Sequence, residues 1–215
     1  MRIAVLISGR GSNLKALIDA CAAKNYPAKI GLVISNRPDA TGLAFAQDAG
    51  IPCQVIDHKQ FKTREAFDAE LHRALVAAEI ELVCNAGFMR ILTDEFVGQW
   101  RDRMLNIHPS LLPAFKGLHV HQRAIDAGVR ISGCTVHFVR PEMDEGPIVA
   151  QAAVPVLPDD TAEALAARIL EAEHKLYPFA LRLVAEGKAR VADEKVVISD
   201  GNTDTPAPFF MPPIT

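Results

Sequence analysis

Asn106 and His108 lie two residues apart in Met104-Leu105-Asn106-Ile107-His108-Pro109-Ser110-Leu111-Leu112-Pro113. In an extended segment residues i and i+2 share a face. The amide and the imidazole therefore project together, while Leu105 and Ile107 pack on the other side. Pro109 and Pro113 end the ladder and stiffen the exit. An amide N–H can hold a developing oxyanion and an imidazole can move a proton, a minimal set for acyl transfer. Asn-x-His alone is a common pattern; the Ser-Leu-Leu-Pro that follows makes this one specific.

A second group stands near the N-terminus. Gly9-Arg10-Gly11-Ser12-Asn13 follows a β-rich run and opens a helical pattern, where backbone N–H groups and the helix dipole favour an anion. The dinucleotide fingerprint wants a glycine where Leu14 stands and an acid where Ser35-Asn36-Arg37 stands. No Gly-Lys-Ser/Thr follows either, so a nucleoside triphosphate loop fails. What remains is a place for one phosphate at Gly11, Ser12 and Asn13, or else a tight turn capped by Ser or Asn. Ligands of open α/β sheets bind at the carboxyl edge, where Asn106 and His108 also belong, and this favours the phosphate.

Short β-rich runs alternating with helical patterns position these groups, the mark of a parallel sheet flanked by helices. The expected strands are 3–7, 30–34, 54–56, 81–84 and 104–107, with helices over 12–23, 41–49 and from Thr63 onward. Phe67, Leu71, Leu75 and Ala78 give the last of these an apolar face. Strands at 132–139 and 148–156 then pair with one another. Asp160 as cap and Glu163 as the acid of the first turn start a final helix, with Leu165, Ile169, Ala172, Leu176 and Leu183 on one face. Pro178 is expected to kink or divide it, and Gly187 to stop it. Val191, Val196 and Val197 suggest a terminal hairpin. The fold class is α/β: a mostly parallel twisted sheet, Rossmann-like, with antiparallel strands toward the C-terminal half. The expected organisation is one domain over 1–200. Its first half (about 1–100) binds phosphate or nucleotide, its second (about 101–200) holds the catalytic residues, and a Pro-rich tail spans 201–215.

With 215 residues, 49 % of them apolar, the chain can bury a full core without staples. A net charge of −3, with Lys and Arg dispersed, gives no electrostatic support for a nucleic-acid or membrane partner. Cys21, Cys53, Cys84 and Cys134 are isolated and fit free thiols in a reducing compartment. No run has the length of a membrane span, and the apolar N-terminal run is too short for a secretion signal. The expected location is cytoplasmic.

The Asn106–Pro113 stretch resembles that of the folate-dependent formyltransferases, whose active strand carries Asn-x-His-Pro-Ser-Leu-Leu-Pro. They complete the site with an aspartate, which is Asp144 here, in Met143-Asp144-Glu145-Gly146-Pro147-Ile148. Ile7-Ser8-Gly9-Arg10-Gly11-Ser12-Asn13-Leu14, Phe88-Met89-Arg90-Ile91-Leu92 and Gly133-Cys134-Thr135-Val136-His137-Phe138-Val139 are similar to the glycinamide ribonucleotide (GAR) transformylase branch. The resemblance runs from about residue 2 to residue 187, with its motifs in matching order. It implies formyl transfer from 10-formyltetrahydrofolate, as co-substrate, to the amine of GAR, with no metal. Asn106 would hold the oxyanion, His108 would shuttle the proton, and Asp144 would orient the imidazole.

The same resemblance implies contacts of Gly11, Ser12 and Asn13 with the GAR phosphate and of Glu173 with its sugar hydroxyls; Glu173 reads equally as a partly buried surface acid. For the folate it implies Phe88, Met89, Arg90, Ile91, Leu92, Val139 and Asn106, the backbone of 89–92 meeting the pterin edge. Arg64, in the first turn of its helix, would meet the glutamate of folate or else remain solvated. Monomer and homodimer both stay open.

Other readings are weaker. A metal hydrolase would draw on His119-Val120-His121, His108, His137 and Asp144, but His-Glu-x-x-His is lacking. A methionyl-tRNA formyltransferase would be expected to extend further into a basic RNA-binding domain. A formyltetrahydrofolate hydrolase needs no phosphate loop and would be expected to open with a regulatory domain. A related small amino sugar phosphate remains a possible acceptor. A non-catalytic nucleotide-binding module would leave Asn106, His108 and Asp144 without a purpose.

Overall fold

Strands that are apolar at successive positions need cover on both faces, and Ile3 to Ile7 are wholly buried in β1 (Arg2–Ile7). The computed structural model describes residues 1–199 and Met211; the rest of the Pro-rich stretch 201–215 lies outside the described residues. β2 (Lys29–Ser35), β3 (Cys53–Val55), β4 (Leu82–Asn85) and β5 (Met104–His108) continue β1 as a parallel sheet. β6 (Ile131–Phe138) and β7 (Ile148–Pro155) add an antiparallel pair at one edge. The order is β3-β2-β1-β4-β5-β6-β7. Winding thus reverses between β1 and β4, which opens a crevice at the carboxyl ends of the parallel strands.

The helices are α1 (Ser12–Cys21), α2 (Leu43–Asp48), α3 (Arg64–Ala77), α4 (Asp94–Gln99), α5 (Val120–Asp126) and α6 (Ala162–Ala185). Side-chain alternation divides the core in two. Ile3, Val5, Ile7, Leu105 and Ile107 pack with Leu14 and Leu17 of α1 and Leu165, Ile169 and Leu181 of α6. Ala4, Leu6, Val83 and Met104 pack on the opposite face with Phe67, Leu71 and Leu75 of α3 and Phe96 of α4. A hairpin, β8 (Ala189–Ala192) and β9 (Lys195–Ile198), follows α6. Its two turn residues, Asp193 (φ 49°) and Glu194 (φ 56°), carry the left-handed backbone that a tight hairpin demands.

Several details differ from the sequence expectations. The cap of α6 is Thr161, whose hydroxyl accepts from the Ala164 N–H at 3.2 Å. Asp160 instead pairs with Arg168 at 2.7 Å, a bidentate partner that outcompetes a single backbone N–H. Pro178 lies inside α6 without dividing it; Leu176, Tyr177, Ala180 and Leu181 are buried on both sides of it and hold the helix to the sheet. Gly187 (φ 71°) does stop that helix, with the Lys188 N–H returning to the Leu183 carbonyl at 2.9 Å. The short helices α4 and α5 escaped notice because seven residues or fewer show too little of the 3.6-residue period. α2 starts at Leu43, later than expected, and β3 spans Cys53–Val55.

Candidate active site

Gly11 caps α1 with a left-handed backbone (φ 72°) and supplies no side chain. Neither Ser12 nor Asn13 is the cap, so the first-turn N–H groups are left to an external acceptor. A Cβ on Gly11 would meet the Gly42 Cα at 2.6 Å, so this glycine also lets the loop lie against the start of α2. Ser12 is half-buried, and Asn13 is buried with its Nδ2 donating to Glu173 Oε2 at 2.7 Å. Asn13 Oδ1 is covered and has no protein partner among the described residues. Burial pushes the Glu173 carboxyl up to about 7, against a smaller lowering by Asn13. A hydrogen bond between buried side chains thus joins the β1–α1 loop to the acid of α6.

On β5, Leu105 and Ile107 are buried toward α1 and α6, and Asn106 and His108 face the other way. Asn106 pairs across the ladder with His137, Nδ2 to Nε2 3.3 Å. His137 is buried, and desolvation lowers its pKa, so the ring is held neutral at neutral pH. Its Nδ1 lies 3.1 Å from the Phe138 carbonyl. The proton on Nδ1 donates there, and Nε2 accepts from Asn106. One amide N–H is thereby fixed and the second is left for a reacting oxygen.

His108 is 6 % exposed. Its Nδ1 lies 3.3 Å from Asp144 Oδ1 and its Nε2 3.0 Å from the Phe115 carbonyl. Both ring nitrogens thus have an oxygen within reach, one from a carboxylate and one from a backbone carbonyl. Asp144 has φ 52° and accepts the Gly117 N–H at 2.7 Å through Oδ2, tying the loop after β5 to the loop after β6. Thr135, opposite His108 in the ladder, donates to the Ser110 carbonyl at 2.7 Å and accepts from the Leu112 N–H at 3.0 Å. Gln151 donates to the Leu112 carbonyl at 3.0 Å. The Ser-Leu-Leu-Pro turn is therefore pinned to β6 and β7.

The 88–92 loop leaves β4 beside these groups. Phe88 stacks on Phe67 at 6.5 Å, and Phe88 and Val139 pack onto the core cluster that contains Leu92. Met89 and Ile91 are exposed, and Arg90 lies 5.8 Å above the Phe67 ring. The Met89 N–H is engaged, donating to Ser8 Oγ at 2.7 Å, and Ser8 in turn donates to Asn36 Oδ1 at 2.5 Å. The Met89 N–H is therefore held within the protein, and its carbonyl is the backbone group left to face a ligand. Arg64 is exposed in the first turn of α3. Among the described residues no three His, Cys, Asp or Glu converge as a metal cluster.

The model of the formyl transferase family matches residues 1–181. The chain belongs to that family. Its relatives include the trifunctional purine biosynthetic protein adenosine-3 of Drosophila melanogaster, 54 % identical over 90 % of this chain. The chain spans only 14 % of that protein's length. The phosphoribosylglycinamide formyltransferase of Haemophilus influenzae is 46 % identical over 89 % of this chain and 91 % of its own. The crystal structure of glycinamide ribonucleotide transformylase 1 from Symbiobacterium toebii superposes with a TM-score of 0.91 at 48 % identity, covering 93 % of this chain and 94 % of that one.

In this member of the family, the sequence resemblance grouped Asn106, His108 and Asp144, and the structure sets His108 and Asp144 3.3 Å apart; the Asn13–Glu173 hydrogen bond was not foreseen. Sequence reasoning missed His137 as the partner of Asn106, weighing it only as a metal ligand. It also missed Thr135 and Gln151. The one available signal was alternation, which puts Thr135 and His137 on a single face.

Proposed function

We propose that the chain transfers the formyl group of 10-formyltetrahydrofolate to the amine of GAR, giving formyl-GAR and tetrahydrofolate in de novo purine biosynthesis. The observation that carries the reading is the pair Asn106 and His108 at the carboxyl end of β5, with Asp144 at 3.3 Å from His108, in the same sheet whose β1–α1 turn leaves its first-turn N–H groups without a side-chain cap. The β1–α1 turn and α6 suit a ribonucleotide: free first-turn N–H groups at Gly11, Ser12 and Asn13 for the phosphate, and Glu173 with the Asn13 Oδ1 that is unpaired among the described residues for hydroxyls. The residues on the α3–α4 side suit a flat ring with polar edges. Phe88, Leu92 and Val139 offer apolar side chains, the backbone of Arg90, Ile91 and Leu92 a polar edge, and Arg64 an exposed cation.

As the amine attacks the formyl carbon, the carbonyl oxygen gathers charge, and the free Asn106 N–H stabilises it by about 2.7–4 kcal/mol on the scale of other oxyanion donors. The amine must lose a proton and the departing N10 of folate must gain one. His108 is placed to carry it, a contribution of about 10²–10⁴-fold. Asp144 orients that ring through Nδ1 and offers its carboxylate to a relaying water.

Every group in this scheme comes from one chain, so a monomer and a homodimer would both carry complete sites. The two halves share one sheet, the first giving the phosphate loop and the second the reacting groups. Among the described residues no helix is long and apolar enough to cross a membrane. Soluble substrates and four free cysteines accord with a cytoplasmic location.

The test is loss of 10-formyltetrahydrofolate on adding purified protein, with and without GAR. Consumption that requires GAR supports the transferase. Equal consumption without it would make the protein a hydrolase, and none in either case would point to another acceptor.

A further inference from the structure

Asn85, the last residue of β4, takes no part in the chemistry described above. It is 8 % exposed, and its Oδ1 is fully covered with no hydrogen-bond partner among the described residues. Its neighbours in the sheet are Leu6 on one side and Asn106 on the other. Alternation sends Cys84 toward α1 and α6, and sends Asn85, like Asn106, to the opposite face. On that face Leu92, Phe88 and Val139 pack together as apolar side chains. The backbone beneath is firmly held: the Tyr177 hydroxyl donates to the Asn85 carbonyl at 3.0 Å and reaches the Leu105 carbonyl at 3.3 Å. One buried phenol thus fastens the ends of β4 and β5. Folding leaves this acceptor unpaired among apolar side chains; once those side chains part for a ligand, a ligand N–H can satisfy it and an apolar ligand edge cannot.

We propose that Asn85 is a specificity-determining residue that accepts a ring N–H of the reduced pteridine, so that the site selects the tetrahydro donor over analogues without that hydrogen. This rests on the formyl-transfer reading. In it, the formyl group on N10 lies at Asn106, and Asn85 stands one strand away, about 4.8 Å. Along the bonds N10–C9–C6–N5, the ring N–H nearest the formyl group is N5–H. Reduction creates that hydrogen, and 10-formyl-5,8-dideazafolate has carbon at both N5 and N8.

The experiment compares initial rates of the parent and Asn85→Leu with saturating GAR and either 10-formyltetrahydrofolate or 10-formyl-5,8-dideazafolate. Loss of one hydrogen bond raises KM for the tetrahydro donor by up to about tenfold. KM for the dideaza donor stays level or falls, and KM for GAR is unchanged. A proportional change in KM for both donors would mean that only packing was altered, and would overturn the assignment. If Asn85→Leu does not fold, the parent decides. Its Kd must be several-fold lower for tetrahydrofolate than for 5,8-dideazafolate, and equal affinities overturn the proposal. No transfer from either donor by the parent removes the formyl-transfer reading itself, and this assignment with it. Transfer without discrimination removes only the assignment.

Discussion

Asn106 Nδ2 and His137 Nε2 face each other at 3.3 Å across the β5–β6 ladder, and the neutral His137 ring dictates which way the amide points. Asn106→Ala should therefore lower kcat by about 10²–10³-fold, with little change in the denaturation midpoint. His137→Leu should lower kcat by a smaller factor, since the amide keeps its place but loses its orientation. The double variant should be no slower than Asn106→Ala, because the two act as a unit. Additive losses in that cycle would show that His137 acts separately.

Asp144 reaches His108 Nδ1 at 3.3 Å from a loop held by its own bond to the Gly117 N–H. Asp144→Asn keeps the shape and removes the charge beside the imidazole. The expected result is a large fall in kcat with KM for GAR little changed, because the ring loses the carboxylate that orients its Nδ1. A kcat within a factor of a few of the parent would remove Asp144 from the reacting site.

Glu173 is buried, and that burial pushes its carboxyl up to about 7, well above the ordinary glutamate range. Between that range and about 7 the folded state holds a proton that the unfolded state has released. Stability contributed at this site is thus lost as pH rises through the window, and is not regained above it. Glu173→Gln removes the loss. The variant should be more stable than the parent at pH 8.5, by on the order of 3 kcal/mol, and nearly equal at pH 4.5, as urea titrations at both values will show. KM for GAR should rise at both.

Arg140 is buried at the root of the 141–147 loop and pairs with Asp102 and Glu194, each at 2.7 Å. Glu194 sits in the β8–β9 turn, outside the residues matched by the family model, so the hairpin grips the loop that carries Asp144. Glu194→Ala should raise KM for the folate donor and speed hydrogen exchange over 141–147, with KM for GAR unchanged. Exchange confined to the hairpin would sink the idea.

Gly11 combines a left-handed backbone with a 2.6 Å approach of any Cβ to the Gly42 Cα. Gly11→Ala should cost at least about 1–2 kcal/mol of stability from backbone strain. It should also raise KM for GAR far more than KM for the folate.

The strands, the two-sided core and the projection of Asn106 with His108 were legible because alternation and helical period depend on near neighbours in the chain. Gly11 was legible for the same reason: its turn is local. The partners were not legible. Asn13 meets Glu173 from 160 residues away, His137 meets Asn106 only in one antiparallel register, and Ser8 takes the Met89 N–H before a ligand can. Thr161 rather than Asp160 caps α6 because Arg168, two turns along, claims the carboxylate. Pro178 stays helical because the face around it is buried against the sheet. The sequence by itself determined which residue types could do the chemistry and which face each would take. Only the tertiary structure decided which polar atoms pair and which, like Asn85 Oδ1, stay open, because pairing depends on which strand edges and helix faces are brought together by burial summed over the whole core.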